Sequence, residues 1–333
     1  MSLLKIYSEK DIASFIKKRA GETKFGEKVA FVKTLEDLKN HPAKYVLLGI
    51  PEDIGVRANY GNPGTSKAWE AFLGSLLNIQ HNHLTNAENV ILLGEIDSDT
   101  QMKQAENISK EENHYTEELG ELVTQIDHKV SEVIKAIVEA GKFPIIIGGG
   151  HNNSFGNLKG TSEALQKPIN CINFDAHTDF RALEHRHSGN GFSYAFVDGY
   201  LKKYFVFGLH RNYTSEAVFN SIKKNSERVK FNFFEDISVK QKLSFSDAMK
   251  DSENFCCKNN FGIELDMDAI EFMGSSAISP SGFTLTEARQ FVSYFSKIEN
   301  ASYLHICEGS PSAGIFTNQV GKAIAYLVSD VIS

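Results

Sequence analysis

The chain has 333 residues, of which 41% are hydrophobic and 23% are charged. A chain of this length and apolar content can bury a large core. Its formal net charge of −7 is spread along the sequence with no basic stripe, so the nucleic-acid-binding class is disfavoured. No apolar run reaches the about 18 residues that a membrane span needs.

The cysteines and the amino-terminal residues indicate in which cellular compartment the protein is expected. Four cysteines are too few for a disulfide framework in a chain of this size, and we expect free thiols in a reducing environment. The first residues, MSLLKIYSEKDIASF, lack the apolar segment and small-residue cleavage site of a secretory signal. We therefore expect a cytoplasmic protein.

Short apolar runs recur along the chain, after a first segment, residues 1–40, that we expect to be a helical preamble. Because the runs are nearly continuous rather than alternating, they predict strands that are buried on both faces, as in parallel sheets. The predicted strands are Tyr45–Ile50, Val90–Ile96, Phe143–Ile147, Ile169–Phe174, Tyr204–Leu209, Val229–Phe234, Phe261–Leu265 and Tyr303–Ile306.

Helical patterns lie between these runs. The clearest one extends from Thr116 to Ala140, with apolar residues at spacings of three and four, and another begins near Thr284 or Thr286 as the capping residue. Alternating strands and helices predict one three-layer α/β/α domain over residues 1–333, with a mostly parallel sheet of about eight strands.

Polar side chains follow four of the predicted strands. In open α/β sheets, ligands bind beyond the carboxyl ends of the strands, so we expect these side chains to meet at one edge. Within DAHTD, the alternation of a strand would also turn its three polar side chains to the same face. The set consists of His151, Asp175, His177, Asp179, Asp266, Asp268 and Glu308.

Two imidazoles and four aspartates at one edge would carry a large negative charge unless cations balanced it. Donors of this kind favour Mn²⁺, with Zn²⁺, Fe²⁺ and Co²⁺ as alternatives, and two ions could together activate a water molecule. A single buried His or Asp is more often a core residue, and DxHxD alone could hold one ion. GGGH, DxHxD and DxD together indicate two ions.

These motifs, with SGN and a late Glu-x-x-Pro, resemble the arginase/agmatinase/formimidoylglutamase ureohydrolases over nearly the whole chain. The resemblance implies an arginase-like fold and two Mn²⁺ ions per subunit, with a hydroxide that attacks an amidine or guanidinium carbon. It also implies the ligands. The first ion would take His151, Asp175, Asp179 and Asp266, and the second would take His177, Asp175, Asp266 and Asp268, with Asp175 and Asp266 bridging.

Two carboxylates are the catalytic candidates. Asp179 could accept a hydrogen bond from the hydroxide and pass the proton to the departing amine. Glu308 would face the cationic amidinium and hold its carbon in place. The alternative for Glu308 is a carboxylate in a surface ion pair.

Several residues bear on the substrate. The arginines Arg181, Arg57 and Arg211 suggest an anionic substrate tail, although each could be a structural ion-pair residue. The SGN motif adds Ser188 and Asn190. Phe192 stands where arginases have a proton-shuttling histidine, and His185 or His187 could replace it. The sequence also departs from the family at Glu264, where serine is usual, and at Glu271-Phe272, where Asp-Pro is common.

The pattern is most similar to that of formimidoylglutamases, which implies hydrolysis of N-formimino-L-glutamate to L-glutamate and formamide. Arginase- or agmatinase-type release of urea is the alternative within the family. A mono-zinc enzyme similar to lysine deacetylases is the alternative from another class, but it would not need both His151 and Asp268. A catalytically inactive metal-binding protein would predict lost ligands. We expect a small-molecule substrate and no nucleic-acid or membrane partner, and a homo-oligomer is possible.

Overall fold

The computed structural model describes residues 2–111 and 113–333, which form a nine-stranded sheet flanked by eleven α-helices. The strands are β1 Leu4–Ile6, β2 Tyr45–Gly49, β3 Val90–Ile96, β4 Phe143–Ile147, β5 Ile169–Phe174, β6 Leu201–Leu209, β7 Val229–Phe233, β8 Phe261–Asp266 and β9 Ala301–Cys307. The helices are α1 Glu9–Ile12, α2 Ile54–Ala58, α3 Ala68–Leu76, α4 Asp99–Glu106, α5 Tyr115–Glu139, α6 Ser154–Ala164, α7 Gly191–Val197, α8 Glu216–Lys224, α9 Phe245–Cys256, α10 Leu285–Phe295 and α11 Gln319–Ile332.

The sheet confirms the predicted α/β class. Its strand order is β1-β3-β2-β4-β9-β8-β5-β6-β7, and every pairing is parallel except that of β1 with β3. Each predicted run is a strand, although β6 begins at Leu201 rather than Tyr204.

The first forty residues differ from the expected helical preamble. They contain β1 and the four-residue helix α1, together with short 3-10 segments. Strand β1 pairs with the open edge of β3, where Lys5 lies opposite Glu95. Gly94 permits the close approach, because it has φ +133° and a Cβ there would lie 2.0 Å from the Lys5 carbonyl oxygen. An edge strand of three residues carries too little periodicity to be recognised from sequence.

Apolar residues cover both faces of the sheet and form the expected three layers. Trp69 of α3 and Phe291 of α10 belong to the core on one face, whereas Ile126 of α5 and Phe192 of α7 belong to the core on the other. Helix α10 is capped by Thr284, whose hydroxyl accepts from the Glu287 N–H. The four cysteines, all within the described residues, are buried and free.

The topology determines where the site lies. Strands β4, β9, β8 and β5 are consecutive neighbours at the centre of the sheet and run parallel. Their carboxyl ends therefore open on the same edge, and the four polar segments come together there. Among the described residues, no helix combines the length and apolar composition that crossing a membrane requires.

Candidate metal centre and substrate cavity

The first group of metal-binding candidates surrounds the His151 imidazole. Its Nδ1 atom lies 2.8 Å from Asp179 Oδ2 and 3.2 Å from both Asp175 Oδ2 and Asp266 Oδ2. Within the described ranges, neither ring nitrogen of this fully buried histidine makes a hydrogen bond. One nitrogen and three carboxylate oxygens thus converge on a point, as a cation site requires, although Asp175 Oδ2 also accepts the Asn173 side-chain N–H at 2.7 Å.

The second group adjoins the first through Asp175. His177 Nδ1 lies 3.0 Å from Asp268 Oδ2 and 3.6 Å from Asp175 Oδ1, so Asp175 turns one oxygen to each group. Asp266 belongs to the first group by its Oδ2 atom, while its Oδ1 accepts the Asp268 N–H at 2.8 Å. The structure therefore places Asp175 between the groups and Asp266 chiefly in the first.

Electrostatics also favour cations at this place. Burial and the neighbouring charges of Asp268 and Asp175 raise the pKa of Asp266 well above its usual value. Burial opposes charge on His177, yet Asp268 and Asp175 raise its pKa well above the usual value. Divalent ions would offset the charge of these clustered carboxylates, and this oxygen-rich set with one imidazole per group fits ions such as Mn²⁺.

Glu308 forms a wall of the same site and is only 3% exposed. Its Oε1 accepts the His151 backbone N–H at 2.7 Å, and its Oε2 accepts the Ser276 hydroxyl. Burial, with the charge of Asp179, raises the pKa of Glu308 to about 8. These contacts exclude the surface ion pair that was the alternative for this residue.

Glu308 and Asp179 also share an unusual backbone conformation. Both have a positive φ, 59° for Glu308 and 44° for Asp179, in the left-handed region that side chains rarely adopt. Such strain collects at functional sites, where the surrounding structure holds it in place. Glu308 directly follows β9 and Asp179 lies five residues beyond the end of β5, and both line the cavity.

A cavity of about 420 Å³ lies over both groups. Its floor includes His177, Asp179, Asp268 and Glu308, and its rim includes Arg181. This volume suits a small molecule, and its charge is negative at the floor and positive at the rim.

Arg181 and Ser188 meet at the rim through Asn59. Asn59 Oδ1 accepts from the Arg181 guanidinium, and Asn59 Nδ2 donates to Ser188 Oγ at 3.1 Å. The Arg181 side chain is 51% exposed and also lies 3.3 Å from Glu184 Oε1. Sequence reasoning missed Asn59, although it lies in the GVRANYG segment that drew attention to Arg57.

The other two arginines do not reach the cavity. Arg57 lies 3.2 Å from Asp53 Oδ1, and Arg211 donates to both oxygens of Asp236 at 2.8 Å. Each guanidinium thus lies beside a carboxylate outside the cavity lining, so the structure does not support these two substrate-binding assignments.

Asn190 is likewise a structural residue. Its Oδ1 accepts from Arg186 at 2.6 Å and its Nδ2 donates to the His185 carbonyl at 2.9 Å, while the residue is fully buried. These bonds fix the loop that carries Ser188. Substrate contact through Asn190 is therefore not supported by its position.

Neither candidate for the replaced proton shuttle lines the cavity. His185 Nε2 lies 3.1 Å from the Ala58 carbonyl oxygen, and His187 Nε2 lies 3.0 Å from Glu184 Oε1. Burial lowers the pKa of His187 to about 4. The rings of Phe192 and His151 pack edge to face, with their centroids 5.1 Å apart. Phe192 therefore helps to hold the imidazole of a candidate metal ligand in place.

Two further features escaped sequence reasoning. Tyr213 lines the cavity and stacks on His177, with ring centroids 4.9 Å apart, a contact that only the folded loop reveals. Below the first group, Glu264 is buried against His305, and its pKa falls to about 2 although burial opposes this, because His305 and His151 favour its charge. The sequence did hold one indication of this role, because position 264 carries glutamate where serine is usual in the family.

Comparisons with curated proteins find relatives of moderate similarity. The chain is 27% identical over 189 residues to a formimidoylglutamase of Streptococcus pyogenes serotype M3, covering 54% of this chain and 51% of the relative. It is 28% identical over 192 residues to a formimidoylglutamase of Macrococcus caseolyticus, covering 57% and 54%. The chain thus spans about half the length of these curated relatives.

Solved structures show the same fold over most of the chain. Formimidoylglutamase from Bacillus subtilis superposes with a TM-score of 0.74 at 18% identity, covering 98% of both chains. Trypanosoma cruzi formiminoglutamase with Mn²⁺ gives a TM-score of 0.72 at 18% identity, covering 93% of this chain and 97% of that one. A sequence model of the arginase family matches residues 43–333. The chain belongs to the arginase family.

Proposed function

We propose that this protein hydrolyses a linear amidine C–N bond, converting N-formimino-L-glutamate and water to L-glutamate and formamide. The observation that carries the proposal is one cavity with two metal-binding groups and Glu308 at its floor and Arg181 at its rim. A cationic amidinium and an anionic tail match those two ends. The names of the sequence relatives point to the same substrate.

The metal centre is part of the proposal. His151, Asp175, Asp179 and Asp266 would hold one ion, and Asp175, His177 and Asp268, with Asp266 beside them, would hold the other. We assign Mn²⁺ from the donor set, with Zn²⁺, Fe²⁺ or Co²⁺ as possible substitutes. When bound, such a pair supplies Lewis acidity and lowers the pKa of a water molecule. A mono-zinc deacetylase-like site would leave the second group without a role.

The residues of the chain would orient the substrate and move protons. Glu308, fixed by the His151 N–H and the Ser276 hydroxyl, accepts hydrogen bonds from the amidinium and holds its carbon over the two groups. Water adds to that carbon, and the bond from carbon to the glutamate nitrogen then breaks. Asp179 accepts the proton of the water and passes it to the departing amine.

Arg181 would bind the carboxylate end of the substrate. Among the lining residues that the structure describes, it is the one arginine or lysine, so it would pair with one carboxylate. Asn59 and Ser188 lie beside it and would donate to the second carboxylate. A substrate without carboxylates would leave this rim without a partner.

The test is turnover by the Mn²⁺-reconstituted protein of N-formimino-L-glutamate, arginine and agmatine in parallel. Metal-dependent release of glutamate, with little urea from the other two substrates, is the expected result. Release of urea from arginine or agmatine alone would keep the metal centre and overturn the substrate assignment. No turnover with two bound Mn²⁺ ions would overturn the hydrolase proposal.

A further inference from the structure

A buried pair of side chains lies directly beneath the first metal-binding group. Glu264 of β8 and His305 of β9 are partners in the parallel register, and His305 is also opposite Ile146 of β4. Both side chains are fully buried. His305 Nδ1 lies 2.6 Å from Glu264 Oε2, so the pair joins two strands whose ends carry site residues.

The pair is held from both sides. His305 Nε2 lies 3.2 Å from the carbonyl oxygen of Gly148, in the GGGH segment that leads to His151. Glu264 Oε1 accepts the Tyr303 hydroxyl at 2.8 Å. These contacts fix the carboxylate, and its Oε2 atom lies 3.5 Å from His151 Nε2.

The His151 ring needs such an acceptor. Its Nδ1 atom faces Asp175, Asp179 and Asp266, whereas its Nε2 atom is buried without a hydrogen bond in the part of the chain that the structure describes. A metal-binding imidazole almost always donates its other N–H to a carboxylate, carbonyl or water. Glu264 Oε2 is the carboxylate oxygen placed on that side of the ring.

We infer that Glu264, fixed by His305, is a positioning residue for the first metal-binding group. Its carboxylate accepts a hydrogen bond from the Nε2–H of His151 and so keeps the proton on Nε2 and the Nδ1 lone pair directed at the three aspartates. The inference rests on the proposed metal centre. It adds to that proposal a set of contacts between β4, β9 and β8 that determines the tautomer and the orientation of His151.

A third ion in this place is the competing interpretation, because Glu264, His305 and Cys307 lie close enough together to share one. The contacts favour the supporting role. Both nitrogens of His305 already face oxygen acceptors, and both oxygens of Glu264 already face ring or hydroxyl donors. An ion here would have to break these bonds in a fully buried site.

The test compares Mn²⁺ binding by the full chain and by Glu264→Gln, with isothermal titration calorimetry for affinity and electron paramagnetic resonance for the coupled ion pair. Glutamine keeps the size but loses the carboxylate. We expect the affinity for one ion to fall roughly 10- to 100-fold and the other to change little. Tyr303→Phe removes a bond to Oε1 and leaves the contacts of Oε2, so we expect the same ion to be affected but with a smaller decrease than in Glu264→Gln.

Orientation has its own readout. In the Zn²⁺-loaded protein, the Nε2–H of His151 should show the downfield ¹H shift and slow exchange of a proton hydrogen-bonded to a carboxylate, and both signs should weaken in Glu264→Gln. If Glu264→Gln does not fold, as judged by thermal unfolding, His305→Gln takes its place, with the same selective loss expected. Unchanged binding of both ions, or an equal loss of both, overturns the inference while the metal centre stands. Absence of Mn²⁺ binding by the wild-type chain overturns the metal centre, and the inference with it.

Discussion

Replacing Arg181 by alanine should separate substrates by the charge of their tails. Arg181 lies at the rim of the cavity, about half exposed, with its guanidinium on Asn59 and 3.3 Å from Glu184. N-formimino-L-glutamate carries two carboxylates, whereas agmatine carries none. The substitution should therefore impair the first substrate and leave agmatine nearly unaffected.

The size of the effect follows from the position of the guanidinium. A hydrogen bond between charged groups contributes about 1.5–3 kcal/mol, and exposure to solvent reduces this value. Glu184 competes for the same guanidinium in the free protein, which lowers the gain further. We expect a loss of about 1–2 kcal/mol, which corresponds to a roughly 5- to 30-fold decrease in kcat/KM, mostly through KM.

Steady-state kinetics with both substrates measures this difference. Arg211→Ala is the matched control, since Arg211 is also partly exposed and ion-paired but lies outside the cavity lining. It should change neither substrate by more than about twofold, within the usual range for surface substitutions. Arg181→Lys keeps the charge without the bidentate geometry, so its kcat/KM for N-formimino-L-glutamate should lie between those of the wild-type protein and Arg181→Ala. An equal decrease for both substrates, or an equal effect of Arg211→Ala, would refute the reasoning.

Three further outcomes are expected. Asp175→Asn should abolish turnover and remove at least one bound metal ion, since this carboxylate turns one oxygen to each group; full metal content by mass spectrometry would contradict its shared position. Glu308→Gln should lower kcat/KM by roughly 100-fold through loss of its contact with the amidinium, with both ions retained, and near-normal kinetics would remove Glu308 from the mechanism. His187→Asn should alter the dependence of stability on pH. Because the folded pKa of about 4 lies below the unfolded value of 6.5, the neutral ring contributes stability that is present above pH 6.5 and lost as the pH falls through 4. Denaturant unfolding should show a contribution of up to about 3 kcal/mol that the variant lacks, and identical pH profiles would rule this out.

The strands and the clustering of the candidate metal ligands could be predicted because the relevant signals are local. Continuous apolar runs mark buried parallel strands, and polar residues directly after them must lie at the carboxyl edge of the sheet. The contacts of His151 with Asp175, Asp179 and Asp266 follow from that geometry. Strand β1 was missed because three residues at an edge carry no pattern of their own.

The substrate residues were less predictable, because an arginine in a sequence does not reveal its partner. Arg57 and Arg211 stand in motifs near the site, yet Asp53 and Asp236 bind them away from the cavity. The same limit applies to Glu264, which is unusual in the sequence but acquires meaning only from His305, forty-one residues away. Pairings across strands depend on tertiary structure, which local patterns do not encode.

The position of β9 has a consequence for the order of folding. It is the last strand of the described chain, yet it lies between β4 and β8 near the middle of the sheet. His151 follows β4 and Asp266 ends β8, so these two residues can be brought together only after β9 has inserted between their strands. Partly synthesised chains would carry most of the ligand residues without a formed site. Acquisition of metal would then report that β9 has been synthesised and has joined the sheet between β4 and β8.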